Sequence, residues 1–228
     1  MNNANQDNLW EQLTLQAHED QTLDRSLTVK KIMDSWTLQK GYPVVTVERI
    51  INQNNNTLTI KAKQNWFLIN PTSSVLQTSE YKNTKWYIPF TFTTRSVLNF
   101  DFESKARFIY PEHQHGIEIS IYNGNSVNLE SNWVIGNIQF SGFYRVNYDQ
   151  QNWDLLIDQL KQDNTKIYVV NRAQLIDDSF NLAKAEYIDY SIYLNLLSYL
   201  ENEVESLPFK ASKNGLNYLE EMLCTNYN

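Results

Sequence analysis

Between Ser131 and Leu160 the chain reads SNWVIGNIQFSGFYRVNYDQQNWDLLIDQL, and inside that stretch its hydrophobic period changes. Trp133, Ile135, Ile138 and Phe140, then Phe143, Tyr144, Val146 and Tyr148, form short β-branched and aromatic runs broken at Gly136 and Gly142. Such residues suit a pleated, half-buried surface, so the stretch predicts two strands joined by a tight turn. From Asp149 the pattern is helical. Trp153, Leu156, Ile157 and Leu160 recur on one face, and the Asp149 carboxylate is placed to accept from the free N–H groups of a first turn. Side chains alternate along a strand but recur about every 3.6 residues on a helix, so a β layer is expected to hand over to an α layer here.

The chain upstream carries further short strand candidates separated by Asn-, Ser- and Gly-rich turns: Val44–Arg49, Leu58–Ala62, Trp66–Ile69, Trp86–Thr93, Leu98–Phe102 and Ile117–Tyr122, before Trp133–Ile138 and Phe143–Tyr148. Their regular spacing predicts a two-sheet sandwich in preference to a barrel. Leu58, Ile60 and Ala62 alternate with Thr59 and Lys61, which gives one buried and one wet face, and Pro89 points to an edge or bulged position. Two amphipathic helices precede the strands. Leu9, Trp10, Leu13 and Ala17 share one face between Gln6 and His18; Val29, Ile32, Met33 and Trp36 share a face of the second, with Ser26 or Thr28 as cap and Gly41 and Pro43 as stop. After Asp149 four helices are expected, Asp149–Lys161, Arg172–Ala185, Ser191–Glu201 and Pro208–Met222, with Ser191 as a cap and connections short enough for antiparallel hairpins.

With 228 residues, 42% of them hydrophobic and 13% aromatic, the chain can bury one large or two modest cores, which argues against disorder. A net charge of −7, with Lys30–Lys31 as the longest basic run, argues against nucleic acid or an anionic membrane surface as a partner. Cys224 is the only cysteine, so no internal disulfide is expected. There is no apolar run of bilayer-spanning length, and the polar start MNNANQDN does not read as a signal peptide, so no direct membrane insertion is expected of these residues. Asn55-Asn56-Thr57 is the one N-glycosylation sequon, usable if the chain is exported.

Three blocks carry a resemblance: GFYRVNYD at 142–149 followed by Asn152-Trp153, NRAQLIDDSFNLA at Asn171–Ala183, and IMDSWTLQKGYPVVTV at Ile32–Val47. In their order along the chain they resemble the zinc aminopeptidases of the aminopeptidase N family, Ile32–Val47 where the catalytic domain runs into the first sandwich strand and the other two blocks at the join between β-sandwich and C-terminal helical domains. The resemblance implies a mainly β fold with flanking α: an immunoglobulin-like β-sandwich between two N-terminal helices and a C-terminal helix-hairpin segment. Residues 1–41 would be the last helices of a truncated catalytic domain, 42–148 the sandwich, and 149–228 the start of the helical domain. It also implies, for the full-length family, removal of N-terminal amino acids from peptides with zinc as cofactor, at the extracellular side of the plasma membrane. This chain's partners would then be the missing catalytic domain and the remainder of the helical domain.

The chemistry of that family needs two histidines one helical turn apart with a glutamate between them. His18-Glu19 begins such a motif, but Thr22 stands where the second ligand would be. The family's Met-Glu-Asn substrate-anchoring loop has no counterpart beside Met1, Met33 or Met222, and none of the 14 tyrosines matches its oxyanion-stabilising tyrosine. Glu112, His113 and His115 form a local metal candidate, with an exposed turn after Pro111 as the plainer expectation. Asp177 and Asp178 point about 100° apart on a helix and read as a solvated edge or as partners for nearby arginines. Arg145 and Arg172 are expected to pair with acids across the join, and Cys224 to be a non-catalytic thiol. No catalytic, cofactor-binding or metal residue is therefore assigned, and the chain alone is expected to be inactive. The alternative is a free-standing protein-binding module derived from such an enzyme, favoured if the first two helices pack their apolar faces on the sandwich.

Overall fold

Residues 3–70, 72–101, 106–122 and 128–224 are described by a computed structural model. The first two helices are α1 (Gln6–Glu19) and α2 (Val29–Thr37). Asn5 and Asn8 exchange side chain-to-backbone bonds in a capping box at the start of α1. Of the two cap candidates for α2 it is Thr28 that accepts from the Lys31 N–H, while Ser26 is tied to Asp24. Trp36 on α2 donates its indole N–H to the Tyr87 carbonyl (3.0 Å), Ser35 Oγ accepts from the Tyr87 N–H, and Gln39 donates to the Lys85 carbonyl. α2 is thus fastened to the β layer, whereas α1 buries no residue and leaves Leu9, Leu13 and Leu15 exposed.

Gly41, at φ +84°, turns the chain out of α2, and a Cβ there would run into the Trp66 indole. The strands follow: β1 (Pro43–Asn52), β2 (Thr57–Trp66), β3 (Ile88–Phe90), β4 (Phe92–Thr94), β5 (Arg107–Ile109), β6 (Ile117–Tyr122), β7 (Val134–Gly136) and β8 (Arg145–Tyr148). The main sheet has the order β6-β2-β1-β8; β1 and β2 form an antiparallel hairpin, and β8 runs parallel to β1 with Val45 opposite Val146. Two-stranded pieces, β3 with β5 and β4 with β7, complete the β layer. Leu58, Ile60 and Ala62 are buried as their alternation predicts.

Several expectations are corrected. Strands 133–138 and 143–148 do not form a hairpin: β7 pairs with β4, and β8 with β1. Between them Asn137, Gln139 and Phe140 adopt left-handed backbone at φ 60°, 55° and 52°. The Asn137 side chain holds this crossing, accepting from the Gly142 N–H and donating to the Gly142 and Tyr144 carbonyls. Trp86–Thr93 breaks at Thr91, whose carbonyl and hydroxyl accept from the Asn137 and Ile138 N–H groups. Trp66–Ile69 is no separate strand: Trp66 ends β2, and the three residues after it lie outside any strand. Leu98–Phe102 fails as a strand because Leu98 has φ +51° and its N–H turns back to the Thr94 carbonyl; Phe102 lies outside the described residues. β5 and the short helices α3 (Ser73–Leu76) and α4 (Ser79–Asn83) were not anticipated. The described chain mixes helices and sheets, 47% helical and 20% strand, which matches a mainly β class only in part.

Beyond β8 come α5 (Gln150–Asp163), α6 (Val169–Lys184), α7 (Tyr190–Leu197) and α8 (Ser206–Cys224). Asp189, not Ser191, caps α7. Arg172 lies in the first turn of α6 and does not begin it. Val45, Val47, Ile60, Trp86, Trp133 and Val146 of the β layer share one continuous core with Trp153, Leu156, Ile176, Leu182 and Tyr193 of the helices.

Candidate functional site

The densest polar constellation lies where β8 meets the helices. The Asp149 carboxylate does what the sequence predicts, accepting from the Asn152 N–H (2.8 Å) to start α5; its second oxygen accepts from the Arg49 N–H on β1 (2.9 Å). One carboxylate thus closes both the helix start and the end of the parallel β1–β8 ladder. Asn152 adds a mimic of strand pairing, with Oδ1 accepting from the Val134 N–H and Nδ2 donating to the Val134 carbonyl, both at 2.8 Å.

Arg145 on β8 reaches α6. Its Nη1 donates to Asp177 Oδ2 (2.6 Å) and Asp178 Oδ1 (2.9 Å), and its guanidinium lies over the Phe67 ring at 5.3 Å. The two acids, read as a solvated edge or as partners for nearby arginines, take the second role and converge on a single nitrogen, Arg145 Nη1. Asp178 is no solvated edge: it is 1% exposed and also accepts from the Val146 N–H (3.1 Å) and Gln174 Nε2 (3.2 Å). Burial pushes its carboxyl up to about 7, against the pull of Arg145 and the Val146 N–H. Burial alone would lower the Arg145 pKa, yet the Asp178 and Asp177 carboxylates raise it, so this arginine stays charged.

Arg172 also pairs with an acid, but within the helical segment and not across the join as expected. Its Nε and Nη2 donate to the two oxygens of Glu203 at 2.7 and 3.1 Å, and Nη1 donates to the Ile167 and Asn164 carbonyls. Burial opposes ionisation of Glu203, but the Glu205 and Val204 N–H groups and the Arg172 guanidinium together hold its carboxyl below the usual glutamate value. Glu203, Asn137 and Asn152 escaped the sequence reading. The one available signal was an amide on the otherwise apolar face of α5.

The other candidates are scattered. His18 donates its Nε2 proton to the Leu27 carbonyl (2.8 Å) and more weakly to the Asp24 carbonyl, so this nitrogen fastens the α1–α2 turn. His113 Nδ1 accepts from the Tyr110 N–H, and Glu112 is engaged by Tyr87 Oη and Lys31, so the Glu112-His113-Gln114-His115 run is a fastened turn. Cys224 is exposed. Among the described residues no three His, Cys, Asp or Glu side chains gather as a metal would require, and the histidines present do not fit zinc. An open cleft of about 940 Å³ between the α1–α2 link and strands β5 and β6 is lined by His18, Arg25, Arg107 and Glu118, without a nucleophile–base pair. What the junction offers is mechanical: the Arg145 pairs tie β8 of the β layer to α6, and the Arg172–Glu203 pair braces the helical layer internally.

Known proteins agree with the resemblance. Residues 133–228 match the family described as ERAP1-like C-terminal domain. The chain is 35% identical over 221 residues to aminopeptidase Ey of Gallus gallus, covering 97% of this chain and 20% of that protein. It is 36% identical over 217 residues to aminopeptidase N of Bos taurus, and 34% over 232 residues to the thyrotropin-releasing hormone-degrading ectoenzyme of Rattus norvegicus. These matches cover 94% and 99% of this chain and again 20% of each relative. The chain spans about a fifth of the length of the curated relatives it matches, and over that span it belongs to the aminopeptidase N family.

Proposed function

We propose that the chain is the non-catalytic portion of a zinc aminopeptidase that removes N-terminal amino acids from peptides. In this reading residues 1–41 end the catalytic domain, 42–148 form an immunoglobulin-like β-sandwich spacer, and 149–228 begin the helical cap. The catalytic residues and the zinc belong to a part of the enzyme outside these residues, and the enzyme works at the cell surface, as the word ectoenzyme describes for one relative. No helix among the described residues is long and apolar enough to cross a membrane.

The observation that carries the reading is the Arg145–Asp177–Asp178 junction with Asp149 beside it. A spacer must transmit position between two layers without slack, and a largely buried charge cluster resists sliding because a shift strips Arg145 from the desolvated Asp178. The bare Leu9 and Leu13 face of α1 also suits a neighbour beyond this chain. The docking of α2 through Trp36 speaks for the rival, a free-standing binding module, since it gives one of the two helices a surface within the chain. Hydrolysis of aminoacyl anilides by the purified chain with added zinc tests the first reading. No turnover is expected, and zinc-dependent activity that co-purifies with the folded chain through several columns would overturn it.

A further inference from the structure

Asn55 lies at the tip of the β1–β2 hairpin, between Asn52 and Thr57, and is exposed. Among the described residues its side-chain amide has no hydrogen-bond partner, while its neighbours are tied: Asn52 Oδ1 accepts from the Asn54 N–H, and Thr57 Oγ1 donates to the Asn55 carbonyl at 3.2 Å. Asn56 occupies the left-handed region at φ +50°, so the chain reverses within the tripeptide and the hydroxyl of Thr57 comes back toward Asn55. The other Asn-x-Thr triplet in the chain, Asn70-Pro71-Thr72, has proline at its centre and is excluded as an acceptor.

The surroundings could seat a sugar. Thr57 is paired in register with Tyr122 on the edge strand β6, and Tyr122 is 68% exposed, a large aromatic face left open beside the sequon. Ile50, on β1 near the same tip, is exposed as well. A pyranose has one face of C–H groups that packs on an aromatic ring much as an apolar side chain does. The tip also stands clear of the helical junction. Asn52 is five residues beyond Val47, where β8 ends its pairing, which at ~3.3 Å per strand residue is a reach of roughly 16 Å.

We propose that Asn55 is an N-glycosylation site whose first sugar packs on Tyr122. In the reaction the Asn55 Nδ2 bonds to the anomeric carbon of an oligosaccharide carried on a polyprenyl diphosphate. The sugar–diphosphate bond breaks, the diphosphate leaves with the electron pair, and the amide nitrogen gives up one proton, so no oxidant or reductant is needed. In the cell the modification depends on the extracellular location proposed above. The chemistry at Asn55 can be tested apart from that location.

The full chain, fused behind a cleavable secretion signal, is translated with microsomes, and the pool protected from added protease is mapped by mass spectrometry. A glycan at Asn55 is expected, absent from the N55Q, T57A and N56P variants. A translocated chain unmodified at Asn55 would overturn the site, and because the signal is supplied, that result leaves the aminopeptidase reading untouched. Packing on the ring is read separately from the unfolding temperature before and after enzymatic removal of the glycan. The glycosylated chain is expected to melt higher, and Y122A to lose that difference while keeping its glycan. An equal difference in Y122A would refute the contact with Tyr122.

Discussion

Replacing Arg145 with methionine keeps an unbranched apolar stem but removes the guanidinium that lies over Phe67 and bonds Asp177 and Asp178. Asp178 then remains buried at 1% exposure with only the Val146 N–H and Gln174 amide to stabilise its charge. Breaking one side of a buried pair in this way costs about 3–5 kcal/mol. For a chain of this size each kcal/mol lowers the unfolding temperature by about 2–4 °C, so R145M should melt roughly 6–20 °C lower. The penalty also has a pH signature. In the parent the Asp178 carboxyl titrates at about 7 when folded, against 3.8 for the unperturbed group. Across that window the folded state holds a proton that the unfolded chain has released, so the contribution of this group to stability falls as pH rises. Without the guanidinium the folded value moves higher still. The R145M penalty should therefore be small near about pH 5, where Asp178 is neutral, and full near about pH 8.5. Urea titrations of parent, R145M, D178N and the double variant at both values would measure this, and the double variant should recover most of the loss at the higher pH. A penalty under about 1 kcal/mol at both pH values, as for a surface pair, would refute the reasoning.

Glu203→Gln should cost about 3–5 kcal/mol, because Arg172 would keep its charge in a buried site without its bidentate partner. Since the Glu203 carboxyl is held below the unperturbed 4.5, its stabilisation is present above that value and is lost as pH falls through the folded pKa; acid titration of unfolding should show this loss in the parent and not in E203Q. Asp149→Ala removes both the α5 cap and the bond from the Arg49 N–H and should cost about 2 kcal/mol, with amide exchange speeding up first at Asn152 and Arg49. Unchanged exchange at Arg49 would mean that the carboxylate serves the helix alone.

Local signals decided much of this molecule. The change of period at Tyr148, the Asp149 cap, the Thr28 cap and the alternation along β2 each act within a few residues, so the chain announces them wherever it is read. The resemblance blocks belong here too, because side-chain identity in order is a property of sequence.

What only tertiary structure decided is pairing across distance. Whether β7 joins β8 or β4 depends on which partner buries Ile135 and Val146 together, and the left-handed run at Asn137, Gln139 and Phe140 is tolerated because Asn137 finds its bonds in the finished crossing. Asp177 and Asp178 looked divergent along a helix and became partners only when a strand 32 residues upstream brought one guanidinium between them. Arg49 and Asp149, 100 residues apart, meet for the same reason. Such contacts are set by competition for burial among all segments at once, and that competition leaves no mark on any one of them in isolation.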